Sequence, residues 1–110
     1  MTMISSDVIR GYNDLIILSL LLEQTSYGYD ISKQIRTISE ERYVIKETTL
    51  YSAINRLEKL GFIESYSAHG EFGRARTYYR ITAAGRACYR EKCAEWDLTK
   101  RVINQFIRES

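Results

Sequence analysis

A stretch near the middle of the chain carries apolar residues on one side of a predicted helix and polar residues on the other. Between Lys46 and Gly61, apolar residues recur at the spacing of one helix face and cover an arc of roughly 120°; they are Leu50, Ala53, Ile54, Leu57 and Leu60. The opposite side is polar and cationic, with Thr48, Ser52, Asn55 and Lys59 flanked by Tyr51 and Arg56. The pattern predicts a helix that packs by one side only, capped by threonine at its start and stopped by Gly61 in the left-handed conformation.

The polar side of this helix suits phosphates and base edges, since hydroxyl, amide and guanidinium groups all hydrogen-bond to them. Taken alone, such a segment is more often an ordinary amphipathic helix with a solvated face. The neighbouring segments favour a face that contacts nucleic acid over a merely solvated face.

The first helix of the chain is predicted to begin at the capping residues Ser5-Ser6-Asp7 and to run through Leu22. Its apolar residues from Leu15 to Leu22 point in nearly every direction around the axis, which a helix on the surface of a small domain cannot satisfy. Either the domain's own core surrounds this helix or a second subunit covers it. The short chain favours the second subunit.

A second, shorter helix is predicted from Tyr29 to Ile38, after turn-forming residues at 25–28. Residues 39–45 form a linker with a short extended piece at 43–45, and they lead to the helix described first. Two consecutive short helices joined by a brief connection are typical of a helix-turn-helix.

Two β-forming segments follow at 62–67 and 77–82, and they predict a hairpin whose tip spans residues 68–76. The tip contains Arg74 and Arg76, which can reach the DNA backbone or the narrow groove beside a helix in the major groove. The alternative is a solvated β-turn. Helix, helix and hairpin in this order are the elements of a winged helix.

The last predicted helix begins at a cap on Thr82 and extends almost to the end of the chain. One apolar seam of heptad type along it comprises Tyr89, Cys93, Trp96, Ile103 and Ile107, and a second row comprises Leu98, Val102 and Phe106. A helix with two apolar rows, placed after a complete winged helix, cannot be buried by its own subunit. We interpret it as a dimerisation element.

These elements predict a mainly α fold with a small β-hairpin. A winged helix-turn-helix would occupy residues 1–82, and a single long C-terminal dimerisation helix would occupy residues 83–110, the two forming one structural unit.

Composition limits this picture further. The 110 residues suffice for one domain with a modest core, and the net charge of +2 is too small to indicate nucleic acid by itself. Residues 46–90 carry eight basic and four acidic side chains, so the basic excess lies in the half with the polar helix. Cys88 and Cys93 diverge by about 140° on a helix and are predicted to be reduced.

Catalytic and membrane functions find little support in the sequence. His69, the one histidine, falls in the predicted wing tip, where a solvated loop residue is the simplest interpretation, and no nucleophile and base are paired. The longest apolar run, 15–22, is far short of the roughly 20 residues that cross a bilayer, and no signal peptide is visible. We expect a cytoplasmic protein without enzyme activity, cofactor or bound metal.

Several strings of residues resemble the PadR family of bacterial transcriptional regulators. They include Gly28-Tyr29-Asp30-Ile31, Thr49-Leu50-Tyr51, Arg56-Leu57-Glu58-Lys59-Leu60-Gly61 and Gly73-Arg74-Ala75-Arg76-Thr77-Tyr78-Tyr79-Arg80-Ile81-Thr82. The resemblance covers nearly the whole chain. The single C-terminal helix is similar to that of a short subfamily that includes multidrug-responsive repressors.

That resemblance implies a homodimer in which the long helices pack on the partner's first helix and leave a central pore for planar aromatic compounds. Trp96 stands at the place of the tryptophan on which such compounds stack, and the implied ligand-binding residues are Tyr12, Leu15, Ser19, Trp96 and Lys100. Lys100 replaces an acidic residue of the multidrug members, which disfavours cationic ligands. Without the resemblance, a lone tryptophan on an interfacial helix is more often a packing residue.

We therefore predict a homodimeric repressor that binds a pseudo-palindromic operator in double-stranded DNA and is released by a small planar or aromatic ligand. The predicted DNA-binding residues are Lys46, Thr48, Thr49, Tyr51, Ser52, Asn55, Arg56, Arg74 and Arg76. The predicted dimer interface comprises Leu15, Leu18, Tyr89, Cys93, Trp96, Ile103 and Ile107. The alternative is a winged helix that associates with an acidic protein partner and binds no specific DNA sequence.

Overall fold

The computed structural model of the chain describes residues 2–70 and 73–108. In chain order its elements are helix α1 (Ser6–Ile9), a 3₁₀ turn (Arg10–Tyr12), helix α2 (Asn13–Leu21), strand β1 (Ser26–Tyr27), helix α3 (Gly28–Ile38), helix α4 (Glu47–Lys59), strands β2 (Ile63–His69) and β3 (Ala75–Ile81), and helix α5 (Ala83–Phe106). Helices α3 and α4 followed by the hairpin form a winged helix-turn-helix, and α5 continues beyond it. The predicted fold class is confirmed.

The hairpin of β2 and β3 is present as predicted, but both strands reach further toward the tip, to His69 and from Ala75. Its pairing runs from Ile63 opposite Ile81 to His69 opposite Ala75. His69 therefore ends a strand, and the prediction that it lies in a loop is wrong. Residues 71 and 72 of the predicted tip lie outside the described residues.

A third strand, β1, lies on the other side of β3, so the sheet order is β1-β3-β2 with all neighbours antiparallel. Ser26 and Tyr27 of β1 pair with Tyr79 and Tyr78, where the sequence predicted only a turn. The predicted extended piece at 43–45 is not a strand. Strand formation at β1 depends on the distant partner β3, which local residue preferences do not reveal.

The core lies where α2, α3, α4 and the inner face of the hairpin meet. Four of the five apolar residues predicted on one side of α4 are buried, namely Leu50, Ala53, Ile54 and Leu57. They belong to a cluster with Ile17, Leu18, Leu21, Ile31, Ile35, Tyr43, Ile45, Ile63 and Tyr79. Because full burial of one aliphatic side chain contributes about 1.5–3 kcal/mol, the cluster holds α4 firmly by one side.

The two ends of α4 differ in part from the prediction. Gly61 has φ +81°, as predicted for a left-handed stop. Leu60 lies at the C-cap and is 58 % exposed, so the prediction that it belongs to the buried side is wrong. The predicted threonine cap is also wrong, because the helix begins before Thr48 and its N-cap is Lys46, without a side-chain hydrogen bond.

Helix α2 is covered largely by its own chain. Ile17, Leu18 and Leu21 are buried, and α3, α4, α5 and the sheet all contact α2. Leu18 was predicted at the dimer interface, but the core encloses it completely, so it cannot reach a partner. Leu15, by contrast, stays half-buried on the side that the core leaves open.

The beginning of the chain follows the predicted cap but not the predicted continuous helix. The Ser5 hydroxyl accepts a hydrogen bond from Val8 N, as expected of an N-cap. The helix is then interrupted by the 3₁₀ turn before Asn13. Asn13 is buried, and its Oδ1 accepts a hydrogen bond of 2.5 Å from the Tyr43 hydroxyl. Burial raises the pKa of Tyr43, which stays a neutral donor and ties the 39–45 linker to α2.

Helix α5 begins as predicted at Thr82, whose Oγ1 accepts from Gly85 N at 3.0 Å and donates to Gly61 O at 2.7 Å. It ends at Phe106, so Ile107, the last residue of the predicted seam, lies in extended backbone beyond it. Neither α5 nor any other helix within residues 2–70 and 73–108 is long and apolar enough to cross a membrane. Cys88 and Cys93 are unbridged, in agreement with the prediction.

Gly85→Ala is expected to destabilise the protein. A Cβ at residue 85 would overlap the backbone carbonyl of Phe62 and lie 2.7 Å from Ile81 Cγ1. Overpacking of this kind costs about 1–3 kcal/mol, which corresponds to a fall in Tm of roughly 5 to 15 °C for a chain of this size. Thermal unfolding followed by circular dichroism at a fixed protein concentration measures the change.

Gly11→Ala is the matched control, because a Cβ there meets no atom within 4 Å. Its Tm should stay within about 3 °C of the wild type, as for most exposed substitutions. An unchanged Tm in Gly85→Ala would contradict the close approach of α5 to the hairpin.

Candidate nucleic-acid interface

The outward side of α4 presents the polar residues that the sequence placed there. Thr48, Ser52, Asn55 and Lys59 are exposed and lie opposite the four buried apolar residues of the same helix. Thr49 is half-buried. Two hydroxyls and one amide on the outside of a helix can hydrogen-bond to base edges, since an amide both donates and accepts.

Tyr51 is anchored at the start of α3. Its ring lies so close to Gly28 that a Cβ on that residue would overlap the phenol oxygen. The missing side chain of Gly28 therefore lets α4 and α3 approach at this point, and Tyr51 stays partly exposed. The structure places Tyr51 between the two helices of the helix-turn-helix rather than fully outward.

Arg56 forms an ion pair with Asp14 of α2. The Arg56 side chain is 51 % exposed, whereas that of Asp14 is 19 % exposed. One terminal nitrogen of the guanidinium binds the carboxylate, and a guanidinium has five N–H donors in all. Arg56 is thus held by α2 while part of its donor set faces solvent.

The wing supplies two further arginines in different settings. Arg74 is exposed and follows Gly73, which has φ +73°. Arg76 is half-buried, and its guanidinium carbon lies 4.4 Å from the centre of the Tyr27 ring. Such a cation–π contact contributes about 0.5–1 kcal/mol at an exposed site, so Arg76 is held in place more firmly than Arg74.

The outer face of the sheet carries a row of aromatic and cationic side chains that the sequence analysis missed. The Tyr78 ring meets Tyr27 edge-on at 5.5 Å and stacks with Tyr66 at 5.8 Å. Arg80 lies 4.7 Å from the Tyr66 ring and binds Glu64 through Nε at 2.8 Å. Alternate residues of a strand share a face, so the spacing of residues 76, 78 and 80 was a usable signal. The row stiffens the wing beside α4.

An apolar cavity of about 560 Å³ lies between the start of the chain and α5. Its walls include Tyr12 and Leu15 on one side and Trp96 and Lys100 on the other. The Tyr12 and Trp96 rings meet edge-on at 5.1 Å, and Lys100 Nζ lies 6.0 Å from the centre of the indole. Four of the five predicted ligand residues are thereby brought together.

Ser19, the fifth predicted ligand residue, does not line this cavity. Its hydroxyl donates to the carbonyl oxygen of Ile16 at 2.6 Å. The structure therefore does not bring Ser19 to the other four predicted ligand residues.

The surface of α5 carries exposed apolar side chains among its charged ones. Gly85 is its one buried residue among those that the structure describes, and Tyr89 and Cys93 are half-buried. Side-chain hydrogen bonding to Cys93 is the main reason that the pKa of Tyr89 is raised, with burial adding to it. Large apolar side chains are exposed further along, namely Trp96, Leu98, Val102, Ile103 and Phe106, with Ile107 just beyond the helix.

Comparison with known proteins identifies the family of the chain. Residues 17–91 match the PadR-like family of transcriptional regulators. The chain belongs to this family. Membership in the PadR-like family implies DNA-binding regulation of transcription, and its members are regulators rather than enzymes.

The similarity extends over whole chains. An uncharacterized protein of Lysinibacillus sphaericus is 45 % identical over 105 residues, which are 96 % of each chain. The structure of a transcriptional regulator from Clostridium thermocellum shares 64 % identity and a TM-score of 0.88, over 96 % of this chain and 99 % of that one. A PadR family transcription regulator from Clostridium difficile R20291 shares 39 % identity and a TM-score of 0.76, over 87 % and 98 %.

Sequence reasoning about this PadR-like chain also missed Arg10. The 3₁₀ turn carries Arg10 to the side of α4, where it lines a polar groove with Thr48, Ser52 and Arg56. No local pattern marks this residue, because its position depends on how the turn redirects the chain between α1 and α2. The only available signal was a cation just before the first long apolar run.

Proposed function

We propose that the protein is a homodimeric, sequence-specific DNA-binding repressor. The observation that carries this proposal is the outward side of α4, where Thr48, Ser52 and Asn55 are exposed in line while the other side is locked into the core. In this arrangement α4 enters the major groove, and Asn55 reads an adenine through its amide.

The cations around α4 would bind the DNA backbone. Lys46 stands at the start of α4, Arg56 lies near its end, and Arg74 and Arg76 lie on the wing. Phosphate contacts position a protein on the duplex, and base contacts specify the sequence. Thr49 and Tyr51 support this surface from its edge, since both are only partly outward.

Dimerisation would occur through the C-terminal helix, with residues 1–82 as the DNA-binding part and 83–110 as the dimerisation part. Exposed apolar side chains on a helix of 24 residues, about 36 Å long, support a second copy as the covering partner. Trp96, Ile103 and Ile107, which are exposed, fit this interface better than Leu15, Tyr89 and Cys93, which are half-buried. Two-fold symmetry would then place half-sites one helical turn or a multiple of it apart.

A small planar or aromatic ligand would release the repressor. The cavity with Tyr12, Leu15 and Trp96 supports such a ligand, because its walls are mostly apolar and adjoin the proposed dimer surface. Lys100 beside the indole disfavours a cationic compound. The ligand would act by preferring one spacing of the two α4 helices over another.

The double variant Arg74→Ala/Arg76→Ala should weaken binding to every duplex and flatten its salt dependence. Each lost phosphate contact lowers the slope of log K against log salt by about 0.9. Asn55→Ala should instead relax the preference at one base pair per half-site, by roughly 1–3 kcal/mol. Fluorescence anisotropy with the duplex that the wild type enriches from random sequence, and with its single-base variants, separates the two effects.

The matched controls are Arg36→Ala for charge and Gln24→Ala for the amide, both exposed residues outside α4, the wing and the proposed dimerisation part. If Arg74→Ala/Arg76→Ala and Asn55→Ala bind DNA like the wild type, the assignment of these three residues to the DNA-binding surface is wrong. A random selection that enriches no motif would favour the protein-association alternative.

Planar aromatic compounds should quench the fluorescence of Trp96, the single tryptophan of the chain. Stacking on a partly exposed indole brings a quencher within contact distance, and the same compounds should weaken operator binding. Isothermal titration calorimetry with wild type and Trp96→Leu measures the loss of binding. If a broad panel of such compounds neither quenches nor binds, the ligand part of the proposal is wrong.

A further inference from the structure

A polar groove of about 280 Å³ runs along the side of α4 that faces the start of the chain. Its polar walls are Thr48, Thr49, Ser52 and Arg56 from α4, and Arg10 and Asn13 from the turn and α2. Two arginines and three hydroxyl-bearing residues therefore border one open groove. All of them donate hydrogen bonds, and a phosphate oxygen only accepts.

Both arginines of the groove are paired with aspartates of the N-terminal segment. Arg10 Nη2 lies 2.8 Å from Asp7 Oδ1, in a pair whose side chains are 76 % and 84 % exposed. Arg56 binds Asp14, which is far less exposed. The two pairs therefore differ in how readily water and other anions reach the carboxylate.

The exposed Arg10–Asp7 pair is easily exchanged. Surface ion pairs contribute little, because water competes for both charges and two side chains must be held still. A phosphate offers a guanidinium two parallel hydrogen bonds of the strong, charge-assisted kind. Arg10 can therefore leave Asp7 for a phosphate, whereas Asp14 keeps Arg56 oriented with its remaining donors outward.

We infer that Arg10 and Arg56 form a seat for one phosphate of the DNA backbone beside α4, which Asp7 partly masks in the free protein. This inference rests on the proposed function, because α4 must lie in the major groove for a backbone phosphate to reach the seat. Arg10 thereby extends the DNA-binding surface to the N-terminal segment. Lys46, which lines an adjoining groove with Arg10, continues the same basic edge.

The test measures the DNA affinity of the full-length protein by fluorescence anisotropy at salt concentrations from about 50 to about 400 mM. This range covers roughly one decade of ionic strength. The probe is the duplex that the wild type enriches from random sequence, with a shuffled duplex beside it. Arg10→Gln should weaken binding to both duplexes on the order of tenfold at the middle of this range, and lower the salt slope by about 0.9 per subunit.

Asp7→Asn should strengthen binding to both duplexes several-fold, because it removes the competing carboxylate. In the Arg10→Gln background the same change should have much less effect, since the two residues act on one contact. A simple loss of negative charge would instead give the same gain in both backgrounds, and that result would overturn the masking role.

Arg36→Gln is the matched control. Arg36 is also exposed and paired, with Glu41 Oε2 2.7 Å from its Nε, but it borders none of the grooves beside α4 described above. Its affinity and salt slope should equal those of the wild type. If Arg10→Gln behaves like Arg36→Gln while the wild type binds its duplex, the seat is wrong and the proposed function stands.

Inorganic phosphate and chloride, compared at equal ionic strength in the absence of DNA, distinguish the DNA backbone from a free anion. The Tm of the wild type and of Arg10→Gln should respond alike to the two salts. A phosphate-specific rise in Tm that Arg10→Gln abolishes, together with an unchanged DNA affinity of Arg10→Gln in chloride, would assign the seat to a free anion and overturn the inference. Both proposals are wrong if the wild type binds no duplex more tightly than the shuffled one and Arg10→Gln leaves the affinity for the shuffled duplex unchanged.

Discussion

The packing of α2 between α4 and α5 is the constraint on which the rest of this structure depends. Ile17, Leu18 and Leu21 are buried there, and α2 contacts both helices as well as α3 and the sheet. Because Leu50 and Ile54 bury one side of α4 in the core, the polar residues on its opposite side face outward. Residues of α2 and of the 3₁₀ turn before it also line the cavity beside α5. The short helix α2 thus lies between α4 with its outward polar side and the cavity beside α5.

This arrangement links the cavity beside α5 to the outward side of α4 by direct contacts. Tyr12 contacts Trp96 across the cavity, Asn13 binds the linker through Tyr43, and Asp14 holds Arg56 of α4. Three consecutive residues therefore join the cavity wall, the linker and the recognition surface. In the proposed function, a ligand in the cavity would act on α4 through these contacts. Its coupling free energy would be limited to the difference in its affinity for the two spacings of the α4 helices.

The sequence was most informative where residues pack within one regular element. The one-sided pattern of α4, the Thr82 cap and the left-handed Gly61 were predicted because each follows from local spacing or backbone conformation. Long-range contacts escaped prediction: β1 needs β3, and Leu18 is buried because three helices and the sheet converge on α2. Ser19 and Arg10 were misjudged or missed for a related reason, since the direction of a side chain depends on where the 3₁₀ turn breaks the first helix. The candidate DNA-facing side was thus largely readable from the sequence, whereas its ion pairs and its N-terminal border were not.

The account as a whole depends on a second copy of the chain covering the apolar side of α5, because only two copies present two α4 helices at a fixed distance. Stable protein interfaces bury about 1,200–2,000 Å² in total, and exposed apolar side chains recur along α5 and its end from Trp96 to Ile107. Sedimentation equilibrium of the purified protein at micromolar concentration tests the claim most directly. The account predicts a species of twice the 12.9 kDa chain mass. A stable species of single-chain mass across the micromolar range would contradict it.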